Sequence, residues 1–559
     1  MCCAQVPLDR DRGWYRCLLC RLRYRCQRCG QRFRYLRGRE VPHHQAGGSI
    51  YEGVHPSWRC VRCSTRSLSA RCNLRSCPRP TRRSFLFSCP HPQAVVLAGI
   101  FEFLGAVLLG SHVTKTIRKG IAEVDCFQTN PGILMYGMQS VVWSTGLWLL
   151  LASTLELPVS TTHSTVGGIV GMALVYGGTD CVVWHEDTDT FPFVKGISAI
   201  VVSWFLSPVM SAVLASILFL TVRALVLRSD HSYKRSFIAF PILVACTICV
   251  NVFFIVYKGA KGLDLDETPL SEAFAWAFGL GFGIGLLLIP CLLPRIKATI
   301  AEKYNEDGTL KPEKEMYKEE TKENAAEAAE GGSAFGKVGA FVSKQVNTDP
   351  HSVVKESEYV SGIHDNAEKF EPRTEDVFKY VQVFTAICDS FSHGANDVAN
   401  AMGPFAAIYS VYEAGVVDSK QDLGDDAFWI LALGGVGIVV GLALYGYKII
   451  SAIGVKIAKI TPSRGFAIEL GSAMVVIIGS RLEIPLSTTH CQVGATVGVA
   501  SLEGKGGINM VVLGKAIFGW VITLVVCGCS AALLFAQGAY APYAYAPTFT
   551  QTEVDAMEE

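Results

Sequence analysis

The chain has 559 residues, 50% hydrophobic and only 18% charged, with a mean hydropathy of +0.32. Soluble domains average about 25% charged, so an ordinary water-soluble fold is excluded. The net charge of +1 conceals two opposite parts: residues 1–92 hold 19 Arg, no Lys and four acidic residues, whereas the remainder nets −14.

Residues 1–92 also hold 11 of the 20 Cys and show no apolar period and no signal-peptide hydrophobic region. CxxC pairs occur at Cys17/Cys20, Cys26/Cys29 and Cys60/Cys63. A basic zinc or nucleic-acid module is one reading. The irregular spacing and the lack of ligand-spaced His favour another, a disordered or misassigned segment with no selected fold.

From residue 93 onward, apolar runs of membrane-spanning length recur at 95–111, 133–154, 197–226, 236–257, 272–293, 428–447 and 511–536. They lack the alternation of a membrane barrel. The expected fold is therefore all-α and polytopic. Residues 93–294 form a first membrane block, 295–378 a hydrophilic linker, 379–537 a second block and 538–559 a tail. Basic residues in "RALVLRSDHSYKR" (223–235) and at the start of the linker place both on the cytosolic side.

The strongest signal is a duplication. "LELPVSTTHSTVGGIVGMA" (155–173) returns as "LEIPLSTTHCQVGATVGVA" (482–500), identical at 12 of 19 positions at a constant offset of 327. Duplicated membrane halves are the usual plan of secondary transporters, with the site at the repeat interface. Pro158 and Pro485 stop the preceding helix. Ser-Thr-Thr-His follows, then a Val/Gly/Ala stretch too short to span, which reads as a re-entrant or broken helix. Ser and Thr cap helix N-termini. An N-terminus in mid-membrane offers N–H groups, hydroxyls and the positive end of a dipole, which suits an anion, and phosphate above others. The plainer reading is a structural capping role. His163 and His490 read equally as orienting partners or proton carriers.

"GANDVANA" (394–401) places Asn396, Asp397 and Asn400 in an apolar setting. An Asp at the bilayer centre costs roughly 2.5–3.5 kcal/mol, so it should line a cavity or bind a cation. Asn396 and Asn400, and Asp397 and Asn400, fall within one turn. Their oxygens are the hard ligands Na⁺ prefers, and the amide N–H groups can donate to an anion. Asp389 and His393 lie two turns and one turn earlier, expected on a neighbouring face. Cation and anion features together suggest coupled transport. No Walker loop, serine elbow or HExxH occurs, so no enzyme is read.

These motifs, with "IFEFLGAVLLGSHVTKTIRKGI" (100–121) and a large polar loop between two halves, resemble the inorganic phosphate transporter family of Na⁺- or H⁺-coupled permeases. The resemblance covers about 93–537. It implies an inverted-repeat transporter bundle with two re-entrant hairpins, paired as a homodimer, most naturally in the plasma membrane. It implies no cofactor beyond the co-transported Na⁺ or H⁺, and no nucleic-acid partner. Carried over, the phosphate ligands are Ser160, Thr161, Thr162, Asn396, Asp397, Ser487, Thr488 and Thr489, with Asp397 and Asn400 serving Na⁺. Glu102 and Glu469 match acids linked to transport, or serve as structural hydrogen-bond partners. The family carries the acidic amide motif twice, once early in each half. Here residues 72–91 read "CNLRSCPRPTRRSFLFSCPH", with no such motif. The expectation is a symporter with a misassigned N-terminus. The alternatives are a transport-deficient or phosphate-sensing relative, and a zinc or nucleic-acid module on a membrane anchor.

Overall fold

Hydrocarbon leaves backbone polar groups no partner but one another, so long apolar runs close on themselves as helix. The computed structural model follows that rule. The chain divides into two units, Met1–Arg79 and Pro80–Glu559. Apart from the isolated positions 265 and 354, the structure describes residues 91–189, 193–257, 268–305, 308–311, 357–417, 428–504 and 506–545. The CxxC pairs and linker residues 312–353 lie outside them.

The first block contains α1 (His91–Leu109), α2 (Ser111–Lys119), α3 (Pro131–Thr154), α4 (Thr161–Gly177), a two-stranded ribbon of β1 (Glu186–Asp187) and β2 (Val194–Lys195), α5 (Ile197–Val222), α6 (Ser232–Val256), α7 (Leu270–Cys291) and α8 (Leu293–Lys303). After the linker come α9 (Glu358–Asn366), α10 (Pro372–Ala414), α11 (Phe428–Gly454), α12 (Pro462–Arg481), α13 (Thr488–Ser501) and α14 (Met510–Tyr545). Local signals set many boundaries. Pro opens α3, α10 and α12 at the first turn, where its missing N–H costs nothing. Gly415 closes α10 in the left-handed conformation.

Among the described residues, seven helices are long and apolar enough to cross a membrane: α3, α5 with the π-turn that extends it to Leu227, α6, α7, α11, α12 and α14. Six were legible as apolar runs. The seventh, α12, is the most enclosed: 83% of its apolar window is buried, against 17–39% in the others. The run at 95–111 is one arm of a broken pair, α1 and α2, bent by 64°. The bend falls at Gly110, where a Cβ would lie 2.4 Å from Val398 of α10. By contrast, α4 and α13 have 17 and 14 residues, or about 26 and 21 Å, short of a bilayer core of about 30 Å.

The repeated glycines explain how the halves interlock. Added Cβ atoms at Gly167 and Gly171 of α4 would fall 2.8 and 2.2 Å from backbone carbonyls of Leu524 and Gly528 on α14. Their mates Gly494 and Gly498 of α13 would fall 2.3 and 2.5 Å from those of Pro208 and Ala212 on α5. Each half thus seats its short helix against the long helix of the other half. Small residues permit this backbone approach. The partners also share one offset, 316, which relates 208 to 524 and 212 to 528.

The polar linker is packed at both ends. Ile296, Ile300 and Tyr304 join Val377 and Phe378 in one core cluster. Nearby, Arg464 at the start of α12 is 1% exposed and bonds Glu503 (2.6 Å) and the Glu368 carbonyl (2.9 Å). Glu503 in turn accepts from the Glu368 N–H (2.8 Å). Hydrogen bonding from Arg228 is the largest cause holding the Glu368 carboxyl below its ordinary range, with Arg223 and Arg464 adding to it. That contribution to stability is present above the ordinary glutamate pKa and fades as acid takes the pH through the lowered one.

Removing one partner of a buried ion pair strands the other charge, at about 3–5 kcal/mol. Arg464→Met should therefore lower the thermal unfolding midpoint of the detergent-solubilised protein sharply. The double variant Arg464→Met/Glu503→Leu should recover part of the loss. Equal midpoints for Arg464→Met and the unaltered chain would contradict this role.

Candidate functional site

The two Leu-Glu-x-Pro turns meet each other. Both put their Glu in the left-handed region, Glu156 and Glu483 alike at φ 57°, a conformation that costs a non-glycine residue of order 1–3 kcal/mol. Its recurrence at one repeat position marks a turn held by its surroundings. Glu156 pairs with Lys456 at 2.6 Å, and the Glu483 carbonyl accepts from Thr116 at 2.8 Å. Each turn is anchored by the opposite half.

Ser160 and Ser487 cap α4 and α13, accepting from the His163 and His490 N–H groups. The Ser487 hydroxyl also donates to that of Ser160 at 2.9 Å. Around this contact the bonds are reciprocal. Thr162 donates to the Leu486 carbonyl (2.9 Å), and its mate Thr489 donates to that of Val159 (3.3 Å). Donors and acceptors of this exchange are mates at the repeat offset of 327. The buried turns satisfy each other's polar groups, as low dielectric surroundings demand.

Asp397 of α10 sits at the paired N-termini. Thr161, first residue of α4, donates to its Oδ2 at 2.9 Å. Thr488, first residue of α13, donates to both oxygens at 3.1–3.2 Å. Asn396 donates to Asp397 Oδ1 (3.2 Å) and the Leu486 carbonyl (3.0 Å), and accepts from Ser480 (3.2 Å). A carboxylate thus already occupies the position that two helix N-termini offer an anion. Asn400 donates to Thr161 Oγ1 at 3.0 Å, while its own Oδ1 is buried without a hydrogen-bond partner. An orphaned hard acceptor beside a carboxylate and two hydroxyl oxygens is a donor set that fits Na⁺.

His393 lies on the same face of α10 as Asp397, not a neighbouring one: its Nε2 is 3.3 Å from Asp397 Oδ2. Four residues is just over one helical turn, so side chains at that spacing stack. Its Nδ1 meets Glu102 of α1 at 2.8 Å. Glu102 therefore reaches the site through His393. Asp389, one turn earlier, is partly buried. Glu469 of α12 accepts from Gln382 (3.0 Å) and Thr385 (2.7 Å). It borders a cavity of about 480 Å³, which Lys303, Asp376 and Lys379 also line. Gln382 precedes Asp397 by fifteen residues, about 22 Å along the helix, so Glu469 stands outside the Asp397 shell.

Of the residues expected from sequence, Thr161, Asn396, Asp397, Thr488 and Asn400 converge. Ser160 and Ser487 bond each other behind them, and the Thr162 and Thr489 hydroxyls turn to the opposite turn. Ser480, Trp204 and Trp520 were missed. Trp204 and Trp520 do share the 316 offset, a signal visible in the sequence once a second register is sought. Among the described residues, no cluster of three or more His, Cys, Asp or Glu could hold a metal ion.

Residues 88–531 match the model of the phosphate transporter family. A Pyrococcus abyssi protein provisionally named a phosphate permease is 32% identical over 445 residues, covering 79% of this chain and 88% of its own. Human sodium-dependent phosphate transporter 1 is 28% identical over 623 aligned positions, covering 79% and 90%. A solved structure described as the sodium-dependent phosphate transporter superposes with a TM-score of 0.58 at 31% identity, covering 82% of this chain and 91% of that one. With its apolar spanning helices and two interlocked copies of the Ser-Thr-Thr-His turn, this chain is an integral membrane member of the phosphate transporter family, a transporter and not an enzyme.

Proposed function

We propose that the protein is a sodium-coupled symporter of inorganic phosphate. The observation that carries this reading is the Asp397 carboxylate held by the first hydroxyls of two opposed helices, beside the orphaned Asn400 Oδ1. A phosphate entering there would face Asp397 across a few ångströms. Two like unit charges 4 Å apart repel by about 4 kcal/mol at an effective dielectric constant near 20. A Na⁺ between Asp397, Asn400 and the two threonine oxygens cancels that repulsion. Coupling then has a physical cause: the anion binds well only after the cation. The relatives named for sodium dependence support the same reading.

In this reading the pairs α3–α4 and α12–α13 are re-entrant hairpins of an inverted repeat, entering from opposite faces. Phosphate is held by Thr161, Thr488 and Asn396 and meets Asp397 through the bound cation, with Ser160, Thr162, Ser487 and Thr489 setting the turns and Ser160 and Ser487 nearest behind. Glu102 acts through His393, and Glu469 lines a path from the linker side. The Cys126–Cys181 disulfide lies at the end of α3 and α4 away from the turns, and disulfides persist on oxidising faces. Basic Arg223, Arg228 and Arg464 gather at the other end. That favours a plasma membrane with the disulfide outside and the linker inside. The functional unit is a homodimer. A transport-deficient relative is the competing reading.

Asp397→Asn should reduce sodium-dependent phosphate uptake by about 100-fold or more at equal surface expression, an effect of about 2.7 kcal/mol. Uptake with unchanged sodium dependence in that variant would remove the assignment. Asn400→Ala should raise the half-saturating Na⁺ concentration about tenfold while changing the phosphate KM less, consistent with loss of one cation ligand. A phosphate KM effect larger than the sodium effect would assign Asn400 to the anion instead.

A further inference from the structure

Behind the serines, four aromatic rings form a continuous row, stacked at the Trp204 end and tilted along the rest. Trp204 of α5 lies on His163 at 3.8 Å, His163 on His490 at 4.6 Å, and His490 on Trp520 of α14 at 3.8 Å. His163 and His490 are mates at offset 327, and Trp204 and Trp520 at offset 316. The rings obey the repeat.

The hydrogen bonds do not. His163 Nδ1 meets the Ser160 hydroxyl at 2.8 Å, whereas His490 Nδ1 meets the Trp204 carbonyl at 3.0 Å. Trp520 Nε1 donates to the Pro158 carbonyl at 3.1 Å, whereas Trp204 Nε1 is buried without a partner. His490 Nε2 is likewise buried and unpartnered. Four equivalent rings thus make two different bond sets, and the idle groups carry the cost of unpaired burial. Since the rings are equivalent by the repeat, the opposite assignment is available to the same residues: His490 on Ser487, His163 on the Trp520 carbonyl, Trp204 on the Pro485 carbonyl.

We propose that His163, His490, Trp204 and Trp520 are positioning residues of the transport site, and that the two bond assignments belong to its two access states. The stack holds the turns together while α5 and α14 exchange which turn they grip. Trp520 Nε1 favours the state described here and Trp204 Nε1 favours the other. Two packings of a bistable element, biased by small differences, are the physical basis of such exchange. The idea rests on the transport reading for there being two access states, and on the packing alone for the asymmetry.

The test removes one indole N–H at a time. Trp520→Phe and Trp204→Phe are compared in the full chain in proteoliposomes, with phosphate KM measured from each face. One hydrogen bond is worth about a factor of 2–10. The ratio of the two KM values should shift about threefold or more in opposite directions, and the double variant should return towards the unaltered ratio. Shifts of the same sign in both would mean a merely structural stack and would overturn the proposal. A second readout needs no phosphate: alkylation of Cys491, fully buried next to His490, resolved by peptide mass spectrometry. Its rate should rise in one variant and fall in the other. Unaltered protein without sodium-dependent uptake would defeat the transport reading, and the alkylation rates would still decide the asymmetry. If a Phe variant does not reach the membrane, benzothienylalanine, an indole isostere lacking the N–H, replaces that Trp and the same opposite signs are required.

Discussion

Everything near the site depends on one constraint: the inner ends of two chain turns lie among apolar helices, and their polar groups must find partners within the protein, several of them on each other. The Ser160–Ser487 hydroxyl bond and the reciprocal Thr162 and Thr489 bonds meet that demand. With the turns joined, the N-termini of α4 and α13 converge on one point. A charged ligand for that point must come from a third element, and α10 supplies Asp397. The glycines follow from the same constraint. Helices shorter than a bilayer core gain from backbone-deep seats, and each half finds its seat on the long helix of the other.

The arrangement makes charge balance the organising theme. Asp397 is ringed by donors: two hydroxyls, the Asn396 amide and the His393 ring. This is how a carboxylate survives in a low-dielectric setting. In the symporter we propose, it also places a fixed negative charge where the anion would bind, which would tie the anion's affinity to the presence of a cation. The Asn400 oxygen, one turn along α10 from Asp397, is buried with nothing to accept from. The rings behind the turns connect this local chemistry to α5 and α14, the long helices on which the two short helices are seated.

Much of this was legible in the sequence because it is written twice. The repeat located both turns, both caps and both short helices, and the cost of Asp397 in an apolar run located the charge. What the sequence could not supply was division of labour among neighbours. Thr161 and Thr162 are adjacent and chemically alike, yet helical geometry turns the first to Asp397 and the second to the facing turn. His393 was assigned to a neighbouring face although its spacing of four from Asp397 places it on the same one. Helix α12 escaped notice as a span because Arg464, Glu469 and several serines dilute its hydropathy; those groups are tolerated there since other helices, not lipid, surround it. The sequence leaves Glu469 open between a transport-linked acid and a structural hydrogen-bond partner; only three-dimensional contacts reveal Gln382 and Thr385 as its donors.

In the mechanism we propose, cation and phosphate share Asp397, so that neither moves productively without the other. The direct measurement is paired tracer flux in proteoliposomes of the purified full chain, following radioactive Na⁺ and phosphate in the same vesicles. Linked binding requires reciprocity: phosphate entry should need Na⁺, and a matching fraction of Na⁺ entry should need phosphate. Sodium entry indifferent to phosphate, or phosphate entry indifferent to sodium, would rule out a shared Asp397.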